Sequence, residues 1–195
     1  LPAADRQRLA NRVMDRLILI NPENPEAYLA RYGYRVQYGL EAADADLDRA
    51  LELGSENPGA LLVAAQRAQQ KAREAASRKQ SGETVARYQK QTEDYVREAI
   101  AKSPTSERGY LALARVCLAQ GQADKAIEAL EQGLEECGEQ SLPLNLQLAE
   151  TLIIAQRTKQ AEQVRDRLDK TTRQLALRLS GAEKRGRNRA LTLLR

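Results

Sequence analysis

The amino-acid sequence predicts an all-α fold on three grounds. Ala, Leu, Arg, Gln, Glu and Lys dominate it, and these are the residues of highest helix propensity. Gly and Pro number only 11 and 6 in 195 residues and sit between apolar-periodic stretches. Within those stretches apolar residues recur at three-and-four spacing, the period of one helix face. Phe, Trp and His are absent, Met occurs once and Tyr supplies every aromatic, so the core must use Leu, Ile, Val and Ala.

The elements follow in order. Ala10, Met14 and Leu17 mark one helix face that ends before Pro22. Tyr28 to Gly39 and Ala43 to Leu53 form a helix pair whose buried stripe is read as Leu29, Tyr32, Val36 and Leu40. Asn57-Pro58 is an N-cap followed by Pro at the first helical position, and it opens a helix with Leu61, Ala64, Ala65 and Ala68 inside. The partner of that helix ends in Val96, Ala99 and Ile100, before Pro104. Tyr110, Leu113, Ala114 and Cys117 then share one face, Gly121 interrupts, and Ala126, Ile127, Leu130, Gly133 and Leu134 follow until Gly138. Ala114, Ala126 and Gly133 are small where two close helices leave no room for a larger side chain. Residues 142–170 repeat the order with Leu148, Ala149, Leu152, Ala161, Val164 and Leu168, and Gln156 takes the place of the turn Gly.

That order resembles the tetratricopeptide repeat, a helix pair with an aromatic, a Leu-small pair and a second-helix Ala-x3-aromatic, recurring about every 34 residues. With Glu107 as repeat position 1, Tyr110 takes the first aromatic place, Leu113 and Ala114 the Leu-small pair, Ala126 and Leu130 the second-helix pair, and Gly138 the closing Pro. The resemblance covers nearly all of residues 5–170. It implies a right-handed α-solenoid of stacked antiparallel hairpins. The expected organisation is a second helix of a truncated repeat at 1–23, repeats at 24–57, 58–106, 107–141 and 142–170, and a degenerate basic tail or partial repeat at 171–195. The chain begins without Met and inside a helical pattern, so a segment of a longer protein is expected.

One repeat departs from the pattern. Pro58 and Glu107 are 49 residues apart, and the only turn signal between them is Ser81-Gly82. Both helices of that repeat should therefore be longer by about two turns, roughly 11 Å. Residues 66–90 carry Arg67, Lys71, Arg73, Arg78, Lys79, Arg87 and Lys90 against Glu74 and Glu83. An acidic partner could dock there, although a solvated extension kept soluble by its charge is the preferred reading.

Several chemistries are set aside. Asp44, Asp46 and Asp48 mimic the start of a calcium loop, but Arg49 stands where Gly is needed and Ser55 where a bidentate Glu is needed. Cys117 and Cys137 should lie roughly 15 Å apart along their hairpin, as two reduced thiols. Without His no Ser or Cys triad can be assembled in the chain, and no phosphate-binding Gly-rich loop occurs, so neither catalysis nor a cofactor is expected. No apolar run approaches the roughly 20 residues of a membrane span. The compartment stays open, with the cytoplasm slightly favoured. Residues 157–195 carry twelve Lys or Arg, including KRGRNR at 184–189, but no aromatic to stack on bases, so nucleic-acid binding is disfavoured.

By resemblance, repeat positions 2, 5, 9 and 12 of the first helices line a concave groove for a peptide or partner protein. They name Leu62, Gln66 and Gln69, then Arg108, Leu111, Arg115 and Leu118, then Leu146, Glu150 and Ile153, with Tyr34 joining them according to register. The family's carboxylate-gripping subset needs Lys-x3-Arg on a third first helix, where this chain has Arg108-x3-Ala112, so a chaperone-tail receptor is disfavoured. The expected function is a noncatalytic scaffold segment that binds a peptide or protein, including neighbouring subunits of a larger assembly. The alternatives are an electrostatic binder of nucleic acid or acidic partners through the basic hairpin and tail, and a regulatory or dimerising arm of an enzyme whose catalytic domain lies outside this chain.

Overall fold

Nine helices and no strand make up the described residues, 3–54 and 56–174, of this computed structural model. They fall into two units, Leu1–Pro104 and Thr105–Arg195. Unit 1 holds α1 (Ala3–Ile20), α2 (Pro25–Gln37), α3 (Ala43–Leu53), α4 (Pro58–Ser77) and α5 (Gly82–Lys102). Unit 2 holds α6 (Glu107–Ala119), α7 (Ala123–Cys137), α8 (Leu142–Ile154) and α9, residues 158–174. Helices α2 and α3, α4 and α5, and α6 and α7 pack as consecutive hairpins. The reading of residues 171–195 as a basic tail falls, from residue 175 onward, outside the described residues.

Local chemistry sets the boundaries. The Asn24 side chain accepts from the Glu26 N–H at 3.0 Å, the Asn57 side chain accepts from the Gly59 N–H at 2.8 Å, and each is followed by Pro at the first helical position. The turn inside each hairpin is one device used four times. Gly39, Lys79, Gly121 and Gln156 have φ of 62°, 53°, 74° and 59°. The next N–H then returns to a carbonyl five residues back: Leu40 to Arg35, Gln80 to Ala75, Gln122 to Cys117, and Arg157 to Leu152, at 2.8 to 2.9 Å. This is the Schellman closure, which satisfies carbonyls that the helix end would leave without partners. Gln156 thus occupies the turn-glycine place that its sequence position implies. The α4–α5 turn differs from expectation: Lys79 is its left-handed residue, Ser81 caps α5, and Gly82 is already helical.

Helices α4 and α5 run 20 and 21 residues against 13 and 15 in α6 and α7, so the elongated hairpin is present. Ala64, Ala68, Ala72 and Ala75 are all buried along α4, and their small side chains line one continuous face of it. In unit 2, Tyr110 is 1% exposed, and a Cβ on Gly133 would lie 2.8 Å from its Cβ and Cγ. Gly133 is small because α7 must pass that close to Tyr110.

The stripe expected on α2 needs correction. Tyr32 is buried with Leu47 and Ala64, and Leu29 packs beside them, but Val36 is 47% exposed. The shared Asn-Pro caps place Pro25 where Pro58 stands, so the apolar repeat positions 7 and 11 of α2 are filled by Arg31 and Arg35. Both side chains turn inward because Asp46 of α3, 2% exposed, meets them there.

Candidate functional site

In unit 2 the first helices α6 and α8 pack against each other, with their buried faces carrying Tyr110, Leu113, Ala114 and Cys117 and Leu144, Leu148 and Leu152. Spacings of three and four then put Arg108, Leu111, Arg115 and Leu118 on the other side of α6, and Leu146, Glu150 and Ile153 on the other side of α8. Arg108, Arg115 and Glu150 are exposed, and Leu111 and Leu118 are half-buried. Leu146 and Ile153 are 53% and 66% exposed. Large aliphatic side chains thus stand in water beside two guanidiniums and a carboxylate, a mixture able to hold an apolar anchor flanked by polar or charged groups.

In unit 1 the named residues separate. Gln66 is exposed and Gln69 half-buried on α4, but Leu62 is only 8% exposed and offers little surface. The register set by Pro25 moves Tyr34 off the groove positions and toward α1. Its hydroxyl accepts from Gln7 Nε2 and donates to Asn11 Oδ1, each at 2.5 Å. Tyr34 also lines a hollow of about 190 Å3 with Asn11, Met14, Asp15, Arg31, Arg35, Leu40 and Glu41.

Sequence reading missed the charged cluster beside that hollow. Arg31 Nε donates to both Asp46 oxygens at 3.1 and 3.0 Å and its Nη2 to Oδ1 at 2.6 Å, while Arg35 Nη1 donates to Oδ2 at 2.8 Å. Arg31 Nη1 also reaches Asp15 of α1 at 3.1 Å, so two carboxylates and two arginines tie three helices together. The hydrogen bond to Asp46 raises the Arg31 pKa against the opposing effect of burial. A second cluster joins α3 to the elongated hairpin: Asp44 accepts from Arg67 Nε at 2.6 Å and lies 3.1 Å from Lys71 Nζ. The Arg67 hydrogen bond, helped by Lys71 and opposed by burial, holds the Asp44 carboxyl below its ordinary range. The spacing Arg31-x3-Arg35, with an acid on the next helix, was the available signal for the first cluster. These aspartates serve as ion-pair partners, and among the described residues no group of three or more His, Cys, Asp or Glu is placed to hold a metal.

Helix hairpins closed by one repeated turn, with small residues at the close crossings and an outward row on the first helices, define a helical-repeat interaction fold. Residues 90–142 match the family model of the tetratricopeptide repeat. No curated protein matches the chain. Among solved structures, it is similar to TTC0263, a thermophilic TPR protein in Thermus thermophilus, at 22% identity and a TM-score of 0.63, with 93% of this chain and 91% of that one covered. It is also similar to MamA, at 16% identity and a TM-score of 0.61 over 90% of this chain and 98% of that one. A third similar structure is YrrB, described as a TPR protein with an unusual peptide-binding site, at 19% identity and a TM-score of 0.55 over 81% of this chain and 74% of that one. The fold is therefore an all-α solenoid of the tetratricopeptide type, and no helix among the described residues is long and apolar enough to cross a membrane.

Proposed function

We propose that the chain is a noncatalytic scaffold segment of a larger protein that binds a peptide or protein through the outward face of its first helices. The observation that supports this reading is the row on α6 and α8, where Leu146 and Ile153 stay more than half exposed between Arg108, Arg115 and Glu150. Exposed aliphatic side chains supply apolar contact area, and the arginines beside them are a residue type enriched at interfaces and among their hot spots. Leu111 and Leu118 extend the apolar strip, and Gln66 and Gln69 present amides on α4 in unit 1. The neighbour YrrB is described as having a peptide-binding site, which accords with this use of the fold. The test is capture of partners from source lysate with nuclease present, by the parent chain and by the variant carrying Arg108→Glu and Arg115→Glu. A defined protein retained by the parent and lost by the variant, whose helical circular dichroism is unchanged, is the expected result. Equal retention by both would reject the assignment.

A second reading rests on the elongated hairpin. Arg67 and Lys71 are paired near its base with Asp44 and Glu74, which leaves Arg73, Arg78, Lys79, Arg87 and Lys90 exposed toward its tip. An acidic partner would be held there chiefly by long-range attraction, so its affinity would fall steeply with salt.

A further inference from the structure

Helix α1 keeps one face open among the described residues. It meets α2 through Gln7 and Asn11, which bond the Tyr34 hydroxyl, and through Asp15, which pairs with Arg31. Two residues further along a helix lies about 200° around its axis, so Leu9 and Val13 stand on the side opposite Gln7 and Asn11. Ile20, seven residues beyond Val13, continues that line. Leu9, Val13 and Ile20 are 49%, 56% and 64% exposed, and they fall within an arc of about 40°. So narrow an apolar strip has the form of a helix–helix seam, whereas a helix lying in lipid needs a broad apolar face.

Arg12 and Arg16 border the strip on one edge and Arg6 on the other, and all three are exposed. Among the described residues none of the three has an ion-pair partner, and the acid on this side, Asp5, lies 3.9 Å from Arg8. Leu9, Val13, Arg16 and Ile20 follow one another at spacings of four, three and four, the seam of a heptad repeat, so Arg16 takes a seam place itself. A guanidinium there selects what lies across from it, because an apolar neighbour would cover the charge without compensating it. A second copy of α1 would set arginines against arginines along the same seam, and like charges oppose that pairing. A carboxylate across from Arg16 pairs with it, and acids at the edges pair with Arg6 and Arg12. The rise from Leu9 to Ile20 is roughly 16 Å, so a partner helix of about three turns covers the strip.

We propose that the open face of α1 binds an acidic amphipathic helix of a partner protein, with aliphatic side chains seated on Leu9, Val13 and Ile20 and carboxylates paired with Arg6, Arg12 and Arg16. This site shares no residue with the row on α6 and α8, so either one can fail while the other stands.

The probe is a fluorescein-labelled amidated peptide of three ELAALEA heptads, titrated against the full chain and followed by anisotropy. Saturable binding is expected, and it should weaken by about threefold or more between about 50 and 300 mM salt. The variant with Val13→Gln and Ile20→Gln, both more than half exposed, should lose about tenfold or more in affinity with unchanged helical circular dichroism. The variant with Arg6→Glu, Arg12→Glu and Arg16→Glu should lose the acidic peptide and gain a peptide of three KLAALKA heptads, which the parent should not bind. The variant Arg108→Glu with Arg115→Glu should bind the acidic peptide as the parent does. Unchanged affinity in the Gln variant, no exchange of preference in the Glu variant, or no saturation by about 1 mM peptide would overturn the proposal. Two further results would reassign the face and overturn it as well. One is retention on vesicles of equal parts phosphatidylcholine and phosphatidylglycerol, and the other is a dimer of the parent in sedimentation equilibrium, in each case abolished by Val13→Gln with Ile20→Gln.

Discussion

Replacing Asp46 by Ala should unfold unit 1 at markedly lower denaturant than unit 2. The Asp46 side chain is 3% exposed and takes both arginines, whose own side chains are 17% and 21% exposed. Removing one member of a buried ion pair costs about 3–5 kcal/mol, because the partner stays desolvated without its counter-charge. Here Arg31 keeps Asp15, and Arg35 keeps its 3.1 Å bond to the Ala42 carbonyl, so part of the loss is recovered. The lower end, about 3 kcal/mol, is therefore the expected cost. With an m-value of about 2 kcal/mol/M, that shifts the urea midpoint of unit 1 down by about 1.5 M. Urea titration followed by helical circular dichroism, with hydrogen exchange assigning the transition to α2 and α3, would measure it. The companion variant Arg31→Met, Arg35→Leu, Asp46→Leu removes the three inward charges, leaving only exposed Asp15, and should recover most of the loss, since apolar replacements of whole buried ion pairs are often neutral or stabilising. A loss below about 1 kcal/mol in the single variant would refute the buried-charge reasoning, as would a triple variant no more stable than the single one.

The remaining predictions test packing, turn conformation and acid response. Gly133→Ala gains about 1 kcal/mol of helix propensity but drives a methyl to 2.8 Å from buried Tyr110, where overpacking costs about 1–3 kcal/mol. A net loss of about 1 kcal/mol in denaturant unfolding is expected, and a stabilised variant would show that α6 and α7 can separate freely. Gln156→Gly removes a side chain from a residue at φ 59° and should stabilise unit 2 by roughly 0.5–1 kcal/mol, measured as a raised unfolding midpoint. Asp44 has a lowered folded pKa, so its contribution is fully present above its unfolded value near about 4 and is lost as pH falls through the folded value. Asp44→Asn should therefore flatten the decline of unit 1 stability below about pH 4, and an identical acid profile in both proteins would refute the assignment.

The parts legible in sequence were those that punctuation and spacing encode together. Asn57-Pro58, Gly121 and Gly138 mark helix ends by local backbone chemistry, and Gly133 opposite Tyr110 marks a close crossing by size alone. Gln156 was legible because the repeat fixes its place even without the glycine. Arg31 and Arg35 were not legible by the same means. A search for apolar stripes assigns Val36 to the interior, whereas the backbone turns two arginines inward because a carboxylate fifteen residues beyond Arg31 compensates them. Burial of a charge depends on its partner, and a partner on another helix has no fixed spacing in sequence.

The two units thus reach stability by different means. Unit 2 buries Leu113, Ile127, Leu130, Leu134, Leu144, Leu148 and Leu152, side chains that each remove substantial apolar area from water. Unit 1 buries chiefly alanines, among them Ala50, Ala60, Ala64, Ala65, Ala68, Ala72 and Ala75, which permit close helix approach but contribute little transfer free energy apiece. Its helices are joined instead by Asp46 with Arg31 and Arg35, and by Asp44 with Arg67 and Lys71. Ion pairs respond to acid, and the part-exposed ones also respond to salt, while leucine contacts respond to neither. Acidification should accordingly weaken the Asp44 join between α3 and α4 while α6 to α8 stay protected, so that the outward row on α6 and α8 remains formed under conditions that loosen the other unit. A binding face carried by the leucine-packed unit keeps its geometry independent of the charged clusters that hold unit 1 together.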